Sequence, residues 1–393
     1  MKNYLVVLFI LIITIKGFCQ SNVNPDISLI GTFNTTTDLT KDSPDKGKIN
    51  FEMPEMELFV DGYLNPYARA TGNIAYEEGE FSVEELYANI VRGLPLETQI
   101  KAGKYLVGFG QLNIVHPHAW SFIGRPLFHQ VYFGSDGFND IGFNFSFILP
   151  TSFYSNLDIG IYKGDAIGHS ELVEPDEEAI AEHRGRSPIF VGRLGTFFAL
   201  SDYSNLGIGL NGSYGVHAKM DLNTLGDTTA ALINKSLDYT YAGLDFKFKY
   251  RPDDYTVLTI QGETILNHRD VLREGTVGIN SPIQSLQTIN TCGAFIYVDY
   301  LFEKMYSIGA KYDYTNGIVD DAPGFNTLSN DDKNNTQGLT AWFGYYPVEH
   351  TLVFRLNVQH LLYHYADGIT RDGSTNITLQ MIFSLGPHKA HPF

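Results

Sequence analysis

Cysteine is nearly missing from this chain of 393 residues, which has only Cys19 and Cys292. A disulfide framework is therefore excluded as the source of its stability. Basic residues are also scarce, 27 Lys and Arg against 44 Asp and Glu, so no nucleic-acid partner is expected. Beyond residue 20 no stretch supplies 18 consecutive apolar residues, which rules out a helical membrane protein. Catalytic signatures are missing too. There is no Gly-x-Ser-x-Gly, no His-Glu-x-x-His and no phosphate-cradling Gly-x-x-x-x-Gly-Lys-Ser/Thr, so no enzyme is expected. What is plentiful is aromatic side chain and glycine: 24 Tyr, 27 Phe and 38 Gly. A disordered chain would be poor in the aromatic residues.

Residues 1–20 open with Lys2, run through an apolar stretch from Tyr4 to Ile15 and end in Lys16-Gly-Phe-Cys-Gln20. That is the pattern of a secretory signal peptide, expected to be cleaved after Gln20, with one domain over 21–393. Its apolar run is 12 residues, short of the ~20 that a spanning helix needs. Cys19 offers lipid attachment as an alternative, but Lys16, Gly17 and Phe18 fit that pattern poorly. Removing the segment takes two lysines and no acid, leaving 25 bases against 44 acids and a lone thiol, Cys292.

The rest of the chain repeats segments of nine to thirteen residues in which apolar side chains alternate with polar or small ones. In Glu55-Met-Glu-Leu-Phe-Val-Asp-Gly-Tyr-Leu64, Met56, Leu58, Val60 and Leu64 share one face, and Glu55, Glu57 and Asp61 share the other. In Asn376–Leu385, Ile377, Leu379, Met381, Phe383 and Leu385 face one way. Strands with one greasy and one wet face explain the period. Short connections are expected near 64–66, 93–95, 150–154, 201–204, 251–254, 302–305 and 347–349. Mostly longer, polar ones alternate with them, at about 35–50, 77–80, 108–137, 164–187, 219–236, 268–287, 315–334 and 364–374. Seven short and eight long connections make sixteen strands and place both ends of the chain with the short turns.

Loops segregated by length point to an all-β, closed antiparallel transmembrane barrel of the outer-membrane kind. In hydrocarbon a sheet must lose its edges, so the strand near Ile27–Asn34 is expected to pair with Asn376–Leu385. Parity then sends ten acids to the lumen: Glu55, Glu57, Asp61, Glu85, Glu97, Asp158, Asp245, Glu263, Asp299 and Asp313. Seven bases join them: Arg69, Lys101, Arg193, Lys247, Lys249, Lys311 and Arg355. A weak cation preference follows, beside the plainer role of solvating the inner wall. Aromatic residues at the short turns, such as Tyr63, Tyr67, Tyr154, Tyr203, Tyr255 and Tyr300, are girdle candidates at the lipid headgroups. Outer-membrane lipid, lipopolysaccharide and the barrel-assembly machinery are the expected partners.

Connection 108–137 is too apolar for a loop in water, so it is expected to fold inward and narrow the passage, with Trp120, Arg125 and Asp136 as its selectivity residues. Its histidines His116, His118 and His129 suit zinc chemically, but His-Pro-His is expected to force two of the rings apart and no cysteine supports them, so structural histidines satisfied by the loop backbone are the plainer reading; no other cofactor is expected. His388 and His391 lie on the opposite side, and Phe393 resembles a terminal assembly signal. Asp176-Glu-Glu178, Asp320-Asp321 and Asp331-Asp332 are acidic external patches able to hold divalent ions.

Asn24–Gly31, His116-Pro-His-Ala-Trp120 with Arg125-Pro126, and Ile382–Phe393 resemble a group of porin-like outer-membrane proteins of Bacteroidota, some named porins or zinc-regulated receptors. The resemblance implies a general pore, monomeric or a homotrimer. A looser similarity to phosphate-selective porins conflicts with the acidic charge. An energy-coupled receptor is excluded by length, since a 22-strand barrel with a plug exceeds 373 residues. The expected function is passive diffusion of small hydrophilic solutes or ions. The alternatives are a zinc-linked transporter or receptor and a sealed adhesion barrel.

Overall fold

A computed structural model describes residues 25–41, 43–77, 79–168, 188–219, 236–276, 282–319, 333–348, 351–365 and 372–387. The expected signal segment at 1–20, Asp176–Glu178, Asp320-Asp321, Asp331-Asp332, His388, His391 and Phe393 lie outside the described residues.

Sixteen strands follow one another around a closed barrel. The first half comprises β1 (Asp26–Asp38), β2 (Ile49–Asn65), β3 (Ala68–Glu77), β4 (Glu80–Ile90), β5 (Gln99–Leu106), β6 (Asn139–Ile148), β7 (Tyr154–Tyr162) and β8 (Ile189–Ser201). The second comprises β9 (Ser204–Lys219), β10 (Ser236–Tyr250), β11 (Val257–Thr276), β12 (Pro282–Phe302), β13 (Tyr306–Asn316), β14 (Asn335–Val348), β15 (Leu352–His364) and β16 (Ser374–Leu385). Each pairs antiparallel with its sequence neighbours, and β1 closes on β16 in a register from Leu29↔Leu385 to Asp38↔Asn376. Closure leaves no sheet edge, the condition for crossing hydrocarbon.

Polarity is inverted relative to a water-soluble protein. Leu58, Leu86, Phe143, Leu210, Leu244, Ile296, Leu339 and Leu379 are exposed, whereas Glu57, Asp61, Asn73, Asp245, Glu263, Lys311, Asp313 and Arg355 are buried. Charged side chains are almost never fully buried unless paired, and so large an apolar belt is not left in water. Lipid outside and polar chemistry inside account for both. At the short-turn end the rings of Tyr300, Phe302, Tyr306 and Tyr345 form a stacked arc with centroids 5.4–5.9 Å apart. Such rings suit the headgroup level.

The connection at 77–80 falls where expected, β3 ending at Glu77 and β4 beginning at Glu80, with Gly79 at φ +95° in the turn. Two expectations need correction. The polar residues of 268–287 are not all loop, since β11 and β12 stay paired up to Thr276↔Pro282. A strand beyond the hydrocarbon meets water on both faces and loses its apolar alternation. Glu97 does not face the lumen: it is exposed in a single 3-10 turn, Pro95–Glu97, where strand parity no longer applies.

Candidate pore constriction

Residues 107–138 leave β5, enter the barrel and return to β6. Asn113 ties the neck of this loop, its amide donating to the carbonyls of Val107 (2.8 Å) and Phe138 (2.9 Å) and accepting from Phe138 N–H (3.0 Å). Inside lies a short helix, α1 (Leu127–Phe133). Leu127 N–H donates to Asp313 Oδ1 on β13 at 3.3 Å. Since β13 stands eight strands from β5 in a ring of sixteen, the loop reaches the opposite wall.

Polar wall residues receive its backbone. Glu263 Oε1 on β11 accepts from Gln111 N–H (2.8 Å) and Leu112 N–H (2.7 Å), and Asn211 Oδ1 on β9 accepts from Gly110 N–H (3.0 Å). Gly110 has φ +77°, and any Cβ there would strike the Glu263 carboxylate. Arg355 Nη2 on β15 donates to the His118 carbonyl at 3.1 Å. Aromatic contacts fill the remainder: Phe122 packs on Tyr297 (5.2 Å) and Trp342 (5.5 Å), and Phe128 on Phe295 (5.9 Å). Lys311 Nζ sits 4.4 Å from the Phe122 ring while pairing with Asp313 at 2.9 Å.

The histidines divide. His116 and His118 do not diverge as the intervening proline suggests: their rings stack 5.6 Å apart at 16°. A 3-10 turn over Pro117–Ala119 brings the second ring round beside the first. His118 Nδ1 lies 2.6 Å from Glu57 Oε1, and His116 Nδ1 lies 3.5 Å from Glu57 Oε2 and 3.6 Å from Glu84. His116 Nε2 approaches Glu85 at 3.2 Å. Burial opposes its charge, but Glu57, helped by Glu85 and Glu84, raises His116 to about 9. Glu57, His116 and His118 each offer a ligand atom within 4.8 Å of the others.

His129 is elsewhere, so the expected three-histidine set does not form. It is buried among Phe128, Phe133 and Phe295, with Nε2 3.3 Å from Glu263 Oε2. Burial holds it below the ordinary imidazole range despite that carboxylate.

Trp120 is buried, donating to the Val115 carbonyl at 3.0 Å, and its ring lies 5.4 Å from the Arg125 guanidinium. Asp136 is exposed at the neck and accepts from Ser135 at 2.9 Å. Of the other lumen candidates, Arg69 pairs with Asp61 and Arg193 with Asp245 (2.7 Å). Lys101 lies over Tyr87 (3.8 Å) and Tyr105 (4.1 Å). Glu55 stands with Glu77 and Glu84 in an acidic cluster. Lys247 and Lys249 follow Asp245 along β10, whereas Asp299 on β12 accepts from Trp342 Nε1 at 2.8 Å.

Glu84, Asp140 and Arg269 are among the inner-wall charges that escaped the sequence reading. Glu84 points inward beside Glu85 because β4 bulges where its pairing with β3 jumps from Asn73↔Glu85 to Ile74↔Val83. Consecutive acids in an alternating strand were the available signal. Arg269 is fully buried and donates to the Tyr241 hydroxyl at 2.6 Å, at a position that polarity alone marked as loop.

No family model matches the chain. An uncharacterized protein of Aquifex aeolicus is 28% identical, over 96% of this chain and 82% of its own length. Among solved structures, the outer membrane channel DcaP of Acinetobacter baumannii is similar with a TM-score of 0.55 and 12% identity, covering 94% of this chain and 99% of that one. The anion-selective porin of Comamonas acidovorans gives 0.56 and 10%, covering 93% and 100%. Salmonella typhi OmpF, in complex with daunomycin, gives 0.56 and 11%, covering 92% and 97%. At these identities the likeness establishes the fold, a porin-type barrel.

Proposed function

We propose that this protein is an outer-membrane channel through which small hydrophilic solutes and ions diffuse passively, in a lumen narrowed by the loop at 107–138. The observation that carries this reading is the combination of an apolar exterior and a polar interior with one long connection folded inside and fastened to the opposite wall. Lipid and lipopolysaccharide are then the partners of the outer belt. Purified protein in planar bilayers is expected to give stepwise KCl conductance. Replacing 111–135 by a short Gly-Ser linker is expected to raise it severalfold. A protein that never conducts, with or without the loop, overturns the reading and leaves a sealed barrel.

A second reading rests on Glu57, His116 and His118. Two imidazoles and a carboxylate are a zinc-type donor set that keeps a fourth position open, so these residues fit a divalent transition metal. The fit has a competitor, because the same side chains already satisfy one another as a carboxylate–imidazole clasp. A metal would have to displace protons to enter. Zinc competition against a chromogenic chelator distinguishes the two: His116→Ala/His118→Ala abolishes binding at a metal site, whereas His129→Ala leaves it. Equal zinc uptake by wild type and the double variant removes this reading.

A further inference from the structure

On the short-turn side of the loop lies a cavity of about 410 Å³, a volume that suits a small-molecule ligand. Loop residues His118–Ser121 roof it, and the short-turn ends of β1, β10–β12 and β14–β16 wall it. Its charge is one-sided. Lys249, Arg251, Lys304 and Arg355 line it against a single acid, Asp299, whose Oδ1 already accepts from Trp342. Arg355 is 3% exposed; Nη1 donates to Gln380 and Nη2 to the His118 carbonyl, both at 3.1 Å, while Nε has no partner among the described residues. Ser384 Oγ, buried in the same wall, also has none among them. Unmet buried donors in this wall are costly, and the excess of Lys249, Arg251, Lys304 and Arg355 over Asp299 favours an anionic occupant.

The rest of the lining is apolar, with Trp120, Leu301, Val353 and Ile382 prominent. Inorganic ions gain nothing from such a wall, whereas a hydrocarbon or aromatic body does. We propose that this cavity is a binding site for small organic anions, namely monocarboxylates with an aromatic or branched aliphatic body, on their way through the channel. The proposal rests on the channel reading. It is compatible with the acid excess of the lumen as a whole, because Glu55, Glu57, Glu84 and Glu85 belong to β2 and β4 and none of them lines the cavity.

Benzoate is the probe. Calorimetry on the purified full-length protein in detergent is expected to show saturable binding of benzoate, with benzyl alcohol and benzylamine at least tenfold weaker. Arg251→Gln/Lys304→Gln alters two exposed turn residues and leaves the barrel wall intact, and is expected to weaken benzoate about fivefold. Arg355→Gln is expected to weaken it further, the folded state being checked by heat-modifiable gel mobility. Equal affinity for benzoate and benzyl alcohol, or an unchanged affinity in the Arg251/Lys304 variant, overturns the proposal. KCl conductance without benzoate binding removes the anion site alone. Benzoate binding without conductance removes the channel reading and keeps the site.

Discussion

Glu263 and His129 meet at 3.3 Å in the middle of the barrel, and the same carboxylate holds the backbone of Gln111 and Leu112 through its other oxygen. One wall residue thus clasps both limbs of the inward loop. Glu263→Ala leaves two N–H groups without their acceptor, at about 1–3 kcal/mol each when buried. Hydrogen exchange across 108–137 is expected to quicken at least tenfold and single-channel conductance to become larger or noisier. Glu263→Gln keeps a carbonyl acceptor and is expected to fall between the two. Unchanged exchange in the alanine variant means that the loop is held by its aromatic contacts alone.

Acid is expected to loosen the same clasp. His129 sits below its ordinary value of 6.5 when docked, so the undocked loop takes up a proton first as pH falls. The stability it contributes is complete above 6.5 and lost as pH falls through the depressed docked value. Glu263, Asp313 and Arg125 are the charged groups that act on it. His116, raised to about 9, acts in the opposite sense: docked it is charged throughout this range, while the undocked imidazole takes up its proton near 6.5, so its stabilisation grows as pH falls from 7.5 and is complete below 6.5. Between pH 7.5 and 5, exchange of 108–137, corrected for intrinsic rates, is therefore expected to shift further toward opening in wild type than in His129→Phe, in which only the opposing His116 contribution remains. Equal pH responses in wild type and His129→Phe would mean that His129 does not carry the effect.

Much of this architecture is legible in the sequence because the bilayer enforces strict rules. Alternation in Glu55–Leu64 and Asn376–Leu385 gave the faces correctly, the alternation of connections gave the strand number, and the ban on sheet edges in hydrocarbon gave the closure of β1 on β16. Alternation fails where the sheet is irregular or leaves the lipid. A bulge turns Glu84 inward beside Glu85, and Arg269 lies on a strand continuing past the expected boundary. The stacking of His116 on His118 depends on a 3-10 turn and on Glu57, which is far away in sequence. Pairwise spacing within a loop does not report which wall residue will receive it.

Gly110 is expected to be among the least replaceable residues of the loop. Its φ of +77° disfavours an L side chain by about 1–2 kcal/mol, and a methyl group would also displace the Glu263 carboxylate from its two backbone donors. Gly110→Ala is therefore expected to reproduce the conductance and exchange behaviour of Glu263→Ala. Gly108→Ala, with open space around the added methyl, is the control and is expected to be silent. If both alanines behave alike, the close approach of Gly110 to the wall does not hold the loop.

The deepest commitment of the fold is its inverted polarity, and Leu244 tests it. It lies midway along β10, paired with Leu210, and both are exposed on the outer face. An arginine on the lipid face near the bilayer midplane costs about 2–4 kcal/mol, whereas the same residue on a surface in water costs almost nothing. Leu244→Arg is thus expected to lower the folding free energy in liposomes by that amount, with Leu244→Phe close to neutral. Placed instead on the inner face, where Arg193 and Arg355 already reside, a positive charge is tolerated by the neighbouring carboxylates and amides. A folding free energy unchanged by Leu244→Arg would mean that this face meets water, and the apolar belt would then need a protein partner to cover it.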